Sequence, residues 1–203
     1  MPHYRWDMIT AITFAGDPIK CNTLIGLHPE LGSVAADEEW SGKQDPLFVE
    51  GLNEVRRIGQ EVENSAASHL LLVRAQMAYL LLWAVIERFA SIRYHLGKNV
   101  TEKVMHLAHE ASFKNALHEV VKNERHLYRT DDPRPSKMCK LKPDNPEKSL
   151  EYYYQVRSNA THRGKGSPAR DFEIVQLSLI ELTEIFSSVL IAAFKEADYK
   201  FVE

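Results

Sequence analysis

A chain of 203 residues, 44% hydrophobic and 26% charged, has enough apolar mass for one substantial core with a small appendage beside it. Its net charge of −3 excludes a protein that coats nucleic acid over its whole surface. The charge is nevertheless uneven: Lys122 to Arg170 holds 12 Lys or Arg against 6 Asp or Glu, and the remainder is acidic.

Residues Met1 to Ala15 lack the basic start and apolar run of a secretory signal. Met8 to Phe14 and Ile19 to Leu27 are apolar and β-branched around the turn sequence Ala15-Gly16-Asp17-Pro18, which predicts a small hairpin. Gly32 to Pro46 turns small, polar and acidic, as a linker does. Residues 1–46 therefore read as an N-terminal extension, and 47–203 as a helical domain.

Helical periodicity begins at Leu47 and runs to about Asn64, with Leu52, Val55, Ile58 and Val62 on one face. Ala66 to Leu96 is richer in Leu and Ala. Leu70, Val73, Met77, Leu80, Leu81, Ala84 and Phe89 form a broad stripe there, which marks a central core helix. Its longest unbroken apolar run, Met77 to Ile86, is ten residues, against the roughly 20 needed to span a bilayer. A soluble protein without a membrane segment is expected.

Thr101 reads as an N-cap for a short helix through Val104, Leu107 and Ala108, and a further helix is predicted from Phe113 to about Leu127. Thr130 to Pro146, with several lysines and no period, reads as a basic exposed loop. Asn145-Pro146-Glu147 is a helix start: Asn caps free amides, Pro lacks the amide that would be orphaned, and Glu suits the dipole. That helix runs to about Arg163, Gly164 ends it, and Ser167-Pro168 starts the last one. The last helix carries more apolar residues than one face needs, which implies burial on two sides or a dimer contact. An all-α bundle is the expected fold class.

Cys21 and Cys139 stand far apart and form no C-x-x-C pair, so a disulfide framework and a zinc ribbon are both unexpected. A reducing, cytoplasmic location follows. His106 and His109, with Glu110 beside them, match no metalloprotease spacing and read as surface histidines. Phosphate-binding glycine loops and a G-x-S-x-G elbow are absent. Tyr152-Tyr153-Tyr154 could stack on bases but reads first as packing.

The densest run of chemically useful side chains is Tyr152 to Lys165, at a helix end beside the basic loop. Within it Arg157 and His162 are five residues apart, about 140° around a straight helix. They share no face without a particular tertiary or dimeric arrangement. The Arg-x4-His spacing on the penultimate helix, with a long amphipathic helix after it, resembles the HEPN superfamily. The likeness covers the helical order from Leu47 to Phe194 and is sharp over Tyr152 to Lys165. In that family a polar residue often follows the arginine; here Ser158 intervenes before Asn159.

The resemblance implies a HEPN-like bundle acting as a homodimeric, metal-independent endoribonuclease with no cofactor. Arg157 and His162 would be catalytic. Ser158 and Asn159 would support them, Glu87 would orient Arg157 from an upstream helix, and Arg163, Lys165 and Lys140 would contact RNA. Glu87 is the only acid between Leu70 and Ala90, and its alternative is a local surface pairing with Arg88. The family also implies a toxin or antiviral defence effector, with an antitoxin or defence-system partner. A catalytically silent module for dimerisation and RNA or nucleotide binding is the alternative. Toxins whose antitoxin adenylylates them continue the motif to Arg-x4-His-x-Tyr, where this chain has Gly164.

Overall fold

The computed structural model describes residues 51–66, 68–94, 98–129, 134, 137–162 and 168–200; the side chains at 92, 162, 168–170 and 194–200 lie outside that description. The hairpin and linker expected within residues 1–46, the Gly164 helix stop, Arg163 and Lys165 also fall outside the described residues. The fold is mostly α. It consists of α1 (Leu52–Glu63), α2 (His69–Arg93), α3 (Val100–Met105) continued by a 3-10 turn at His106–His109, α4 (Ala111–Val120), α5 (Pro146–His162) and α6 (Pro168–Lys200). A two-stranded antiparallel ribbon, β1 (Arg125–Leu127) and β2 (Cys139–Leu141), pairs Arg125 with Leu141 and Leu127 with Cys139.

Leu52, Val55, Ile58 and Val62 of α1 are buried as their spacing predicts. Ser68 turns the chain back by accepting a hydrogen bond from the Leu71 amide at 3.2 Å, so α1 and α2 pack together with Arg74 paired to Glu61 across them. The long α6 packs against α2, α4 and α1. Phe172, Val175, Leu179, Ile185, Phe186 and Val189 are all buried within the chain. The excess apolar surface of this helix thus has an intramolecular explanation, as its neighbours lie on more than one side. By length and composition α2 and α6 could each cross a membrane, yet in this fold they pack on one another.

Three local expectations are corrected. The α2 stripe read as core is only in part the core face: Phe89 is buried, but Leu70, Val73 and Met77 are 69%, 50% and 63% exposed. With Phe89 the buried face is made by Leu72, Ala75, Tyr79, Leu82, Trp83, Ile86 and Ala90. In a helix apolar on nearly every side, periodicity cannot choose between faces. The short helix is capped by Asn99, whose side chain accepts from the Glu102 amide at 2.9 Å, and not by Thr101. The helix expected over Phe113 to Leu127 stops at Val120, because Val121 is already extended and residues 125–127 find a strand partner in residues 139–141. Part of the expected basic loop is therefore a strand. Asn145 caps α5 as predicted, accepting from the Lys148 amide at 3.0 Å.

Inside the bundle a polar chain joins four elements. Arg125 of β1 grips the Glu181 carboxylate of α6 with both terminal nitrogens, one at 2.8 Å. Tyr153 of α5 donates to the same carboxylate at 2.9 Å, and Tyr79 of α2 donates to the Tyr153 carbonyl at 2.8 Å. Burial opposes the Arg125 charge, but Glu181 holds its pKa above the ordinary value. Burial and the Glu181 charge push the Tyr153 phenol well up, so it stays a proton donor. A second buried pair, Arg93 to Glu110 at 2.6 Å with Tyr94 donating to Glu110 at 2.8 Å, ties the end of α2 to the start of α4.

Removing the shared acceptor leaves a partly buried guanidinium uncompensated. Glu181→Ala is therefore expected to lower the unfolding free energy by about 3–5 kcal/mol, and Tyr153→Phe by about 1 kcal/mol, in urea titrations followed by circular dichroism. A loss below about 1 kcal/mol for Glu181→Ala would show that the network does not hold the elements together.

Candidate functional site

Arg157 lies in the last third of α5, whose helix continues through His162. The two motif residues are thus on one rod, separated by about 7.5 Å of axial rise. Arg157 Nη2 meets Glu87 Oε1 of α2 at 2.9 Å, with the two side chains 31% and 28% exposed. The guanidinium also lies 5.4 Å from the centre of the Tyr154 ring. Tyr154 in turn packs edge-on against Trp83 at 5.5 Å.

These contacts follow from two helical repeats meeting. Trp83 and Glu87 are four apart on α2, and Tyr154 and Arg157 are three apart on α5, so each pair shares a face. Where α2 and α5 pack, aromatic meets aromatic and carboxylate meets guanidinium. The ion pair fixes one edge of Arg157 and the ring contact supports its plane. About a third of the side chain remains open to solvent, which leaves the cation accessible to an anion. The Glu87 carboxylate is thus in ion-pair contact with Arg157, and not in a pairing confined to its own helix. Trp83 and Tyr154 complete the arrangement, and their places were readable only as spacings relative to Glu87 and Arg157.

The other expected residues are spread apart. Asn159 does not turn toward Arg157: its Nδ2 donates to the Tyr128 carbonyl at 3.0 Å and its Oδ1 accepts from Gln155 at 2.9 Å. It ties the chain leaving β1 to α5. Ser158 is half-buried on the same helical turn. Lys140 stands exposed on β2, across from His126. Ser149 of α5 both donates to the Lys142 carbonyl at 2.6 Å and accepts from its amide at 2.9 Å, which anchors the end of β2 to the first turn of the motif helix. Thr161 donates back to the Arg157 carbonyl at 2.9 Å. The His162 side chain lies outside the described residues.

Tyr152 and Tyr153 are fully buried and Tyr154 partly so, which makes the tyrosine run packing material. Glu110, beside the two histidines, is engaged by Arg93 and Tyr94. Among the described residues no cluster of three or more His, Cys, Asp or Glu is placed to hold a metal ion.

A double-mutant cycle on Glu87→Ala and Arg157→Ala should give a coupling free energy of about 0.5–1 kcal/mol toward stability, the range for a partly exposed pair. Thermal or urea unfolding of the four proteins measures it, and a coupling of zero would mean that Glu87 does not hold Arg157 in solution.

No protein-family model, no curated protein and no solved structure matches this chain.

Proposed function

We propose that the protein is a cytoplasmic, metal-independent endoribonuclease of HEPN type, with Arg157 and His162 as its catalytic residues. The observation that carries the reading is the Glu87–Arg157 pair. A solvent-accessible guanidinium, held by a carboxylate and an aromatic ring, sits on the same helix as the motif histidine and one turn before it. Such a cation is prepared for a phosphodiester before substrate arrives, because its orientation has already been fixed. A guanidinium suits the role, since its planar fork engages two phosphoryl oxygens and stays charged at all working pH.

On this reading neutral His162 takes the proton from a ribose 2′-hydroxyl, whose oxygen attacks the adjacent phosphorus. Arg157 stabilises the charge that grows on the non-bridging oxygens. The P–O5′ bond breaks, the leaving 5′-oxygen takes a proton from the imidazolium or its counterpart in a second copy, and a 2′,3′-cyclic phosphate remains. DNA lacks the nucleophile and is not cut. Toxin or antiviral effector biology, with an antitoxin or defence-system partner, would follow by analogy with the family that the motif resembles.

A homodimer is part of the same reading. Leu70, Val73 and Met77 lie at i, i+3 and i+7 on α2 and are all exposed. Half-buried Leu80, Leu81 and Ala84 continue the stripe toward Glu87. This apolar path runs into the Arg157 site, so a second copy covering it would bring two such sites together, as a twofold contact uses the same patch on both chains.

Mixed RNA in EDTA should be cleaved by the wild type, leaving 2′,3′-cyclic phosphate and 5′-hydroxyl ends. Arg157→Ala and His162→Ala are each expected to lower the rate by about 10²–10⁴-fold. Loss of cleavage on chelation, or full activity in either variant, would overturn the mechanism. No cleavage by the wild type would favour the alternative, a silent module for dimerisation and RNA or nucleotide binding. By sedimentation, the wild type should be a dimer and Met77→Glu a monomer; a monomeric wild type would remove the dimer from the reading.

A further inference from the structure

The segment that folds into the ribbon is basic: residues 122–142 hold seven Lys or Arg against three Asp or Glu. Its two faces are unlike. Leu127 and Leu141 turn inward and are buried, and Arg125 is engaged by Glu181. The alternate residues His126 and Lys140 are exposed and stand opposite one another as Cα partners. Strand alternation puts Tyr128 on that same outward side, about 7 Å along from His126, and it is 39% exposed. The register carried one pair further brings Tyr128 level with Met138, so exposed Lys137 stands at the same end of the ribbon as the ring. Among the described residues of the segment the only acid is Glu124, which Lys142 meets at 3.6 Å. The side chains of His126, Tyr128, Lys137 and Lys140 have no hydrogen-bond or ion-pair partner among the described residues.

We propose that this outward face is a docking surface for single-stranded nucleic acid, on which Tyr128 stacks a base while Lys137, Lys140 and His126 hold the neighbouring phosphates. A ring set among cations is what such a strand requires, since each unpaired base offers a free face and each backbone step a phosphate. Lysine meets a phosphate as a point charge with three donors, and an imidazole keeps an N–H in either protonation state. The platform exists before the strand arrives. Asn159 holds the Tyr128 carbonyl and Ser149 holds both backbone groups of Lys142, so little ordering cost is left for binding.

Other anionic partners fit this face less well. A duplex keeps its bases stacked on one another and would leave the ring idle. An anionic membrane draws on apolar side chains set among the cations, and among the described residues Tyr128 is the one large hydrophobic residue exposed on the ribbon. An acidic peptide would match the cations and make no use of the ring. The surface is also separate from Arg157. Asn159, which fastens the ribbon to α5, comes two residues after Arg157 and points about 160° away from it. The Glu87 contact and the ribbon thus lie on different sides of α5. Binding here goes beyond the ribonuclease reading and does not require it, because neither stacking nor phosphate contact distinguishes ribose from deoxyribose.

The test uses the full chain and a labelled thymidine dodecamer, a DNA strand with no 2′-hydroxyl to attack. Fluorescence anisotropy should show the single strand bound about tenfold more tightly than its duplex with a deoxyadenosine dodecamer. Tyr128→Ala should weaken the single strand by about tenfold, with Tyr128→Trp retaining it. Lys137→Ala with Lys140→Ala removes two phosphate contacts and should lower the slope of log affinity against log salt by about 1.4. Lys114→Ala, the loss of an exposed lysine from α4, should leave affinity and slope as they are. Circular dichroism establishes that each variant is folded. No binding by the wild type, equal binding of the duplex, an affinity unchanged in Tyr128→Ala or a slope unchanged in the double variant would overturn the proposal. So would binding of a glutamate dodecamer or of phosphatidylserine vesicles with the single strand left unbound. Cleavage of RNA is scored separately: thymidine binding without RNA cleavage keeps the surface and removes the nuclease, and RNA cleavage without thymidine binding does the reverse.

Discussion

The Glu181 carboxylate is the point on which the rest of the structure turns. It is 4% exposed on the buried side of α6, where an ionised acid is costly unless its oxygens are all used. Arg125 and Tyr153 use them, and each comes from a different element. Satisfying one buried acid thereby fixes where β1 and α5 lie on α6, and Tyr79 extends the same chain to α2. Apolar packing would hold these helices together in several registers; the hydrogen-bond geometry selects one. The acid beside it underlines the cost. Burial and the neighbouring Glu119 and Glu181 push the Glu184 carboxyl above its ordinary pKa. The stability linked to that group is present at low pH and lost as pH rises through the raised value.

The candidate site inherits its geometry from that register. Tyr153, which reaches Glu181, stands directly before Tyr154, which packs on Trp83 and supports Arg157. Four residues along α2 from Trp83 comes Glu87, the ion-pair partner of Arg157. A buried, rigid side of each helix thus sets the position of its half-exposed side. The strand ribbon is fastened to the same helix at both ends, by Ser149 to Lys142 and by Asn159 to Tyr128. The basic segment is therefore anchored on the motif helix, although most of its residues are far from Arg157 in sequence.

Much of the architecture was legible before any coordinates. The α1 face, the Asn145-Pro146 helix start and the doubly buried character of the last helix follow from spacing and composition, which act over a few residues. The α2 face was not legible. Leu, Val and Met lie all around that helix, so the hydrophobic period carries no direction, and the first half of the stripe read from the sequence, Leu70 to Met77, proved to be exposed while Phe89 is buried. The early end of α4 was also hidden, since the strand that competes with the helix is stabilised by residues 139–141, which no local window contains.

By itself the sequence determined that the chain is mostly helical and that its densest run of functional side-chain types lies between Tyr152 and Lys165. Helix periodicity and composition suffice for those statements, whereas a Glu87–Arg157 pairing was only what the family resemblance implied, beside a local pairing of Glu87 with Arg88. Only the tertiary structure decided which helix faces are buried and that Asn159 fastens the ribbon to α5. The reason is physical: these depend on which elements become neighbours, and a contact across 31 positions of chain, such as that of Asn159 with the Tyr128 carbonyl, is set by tertiary packing and not by any local preference.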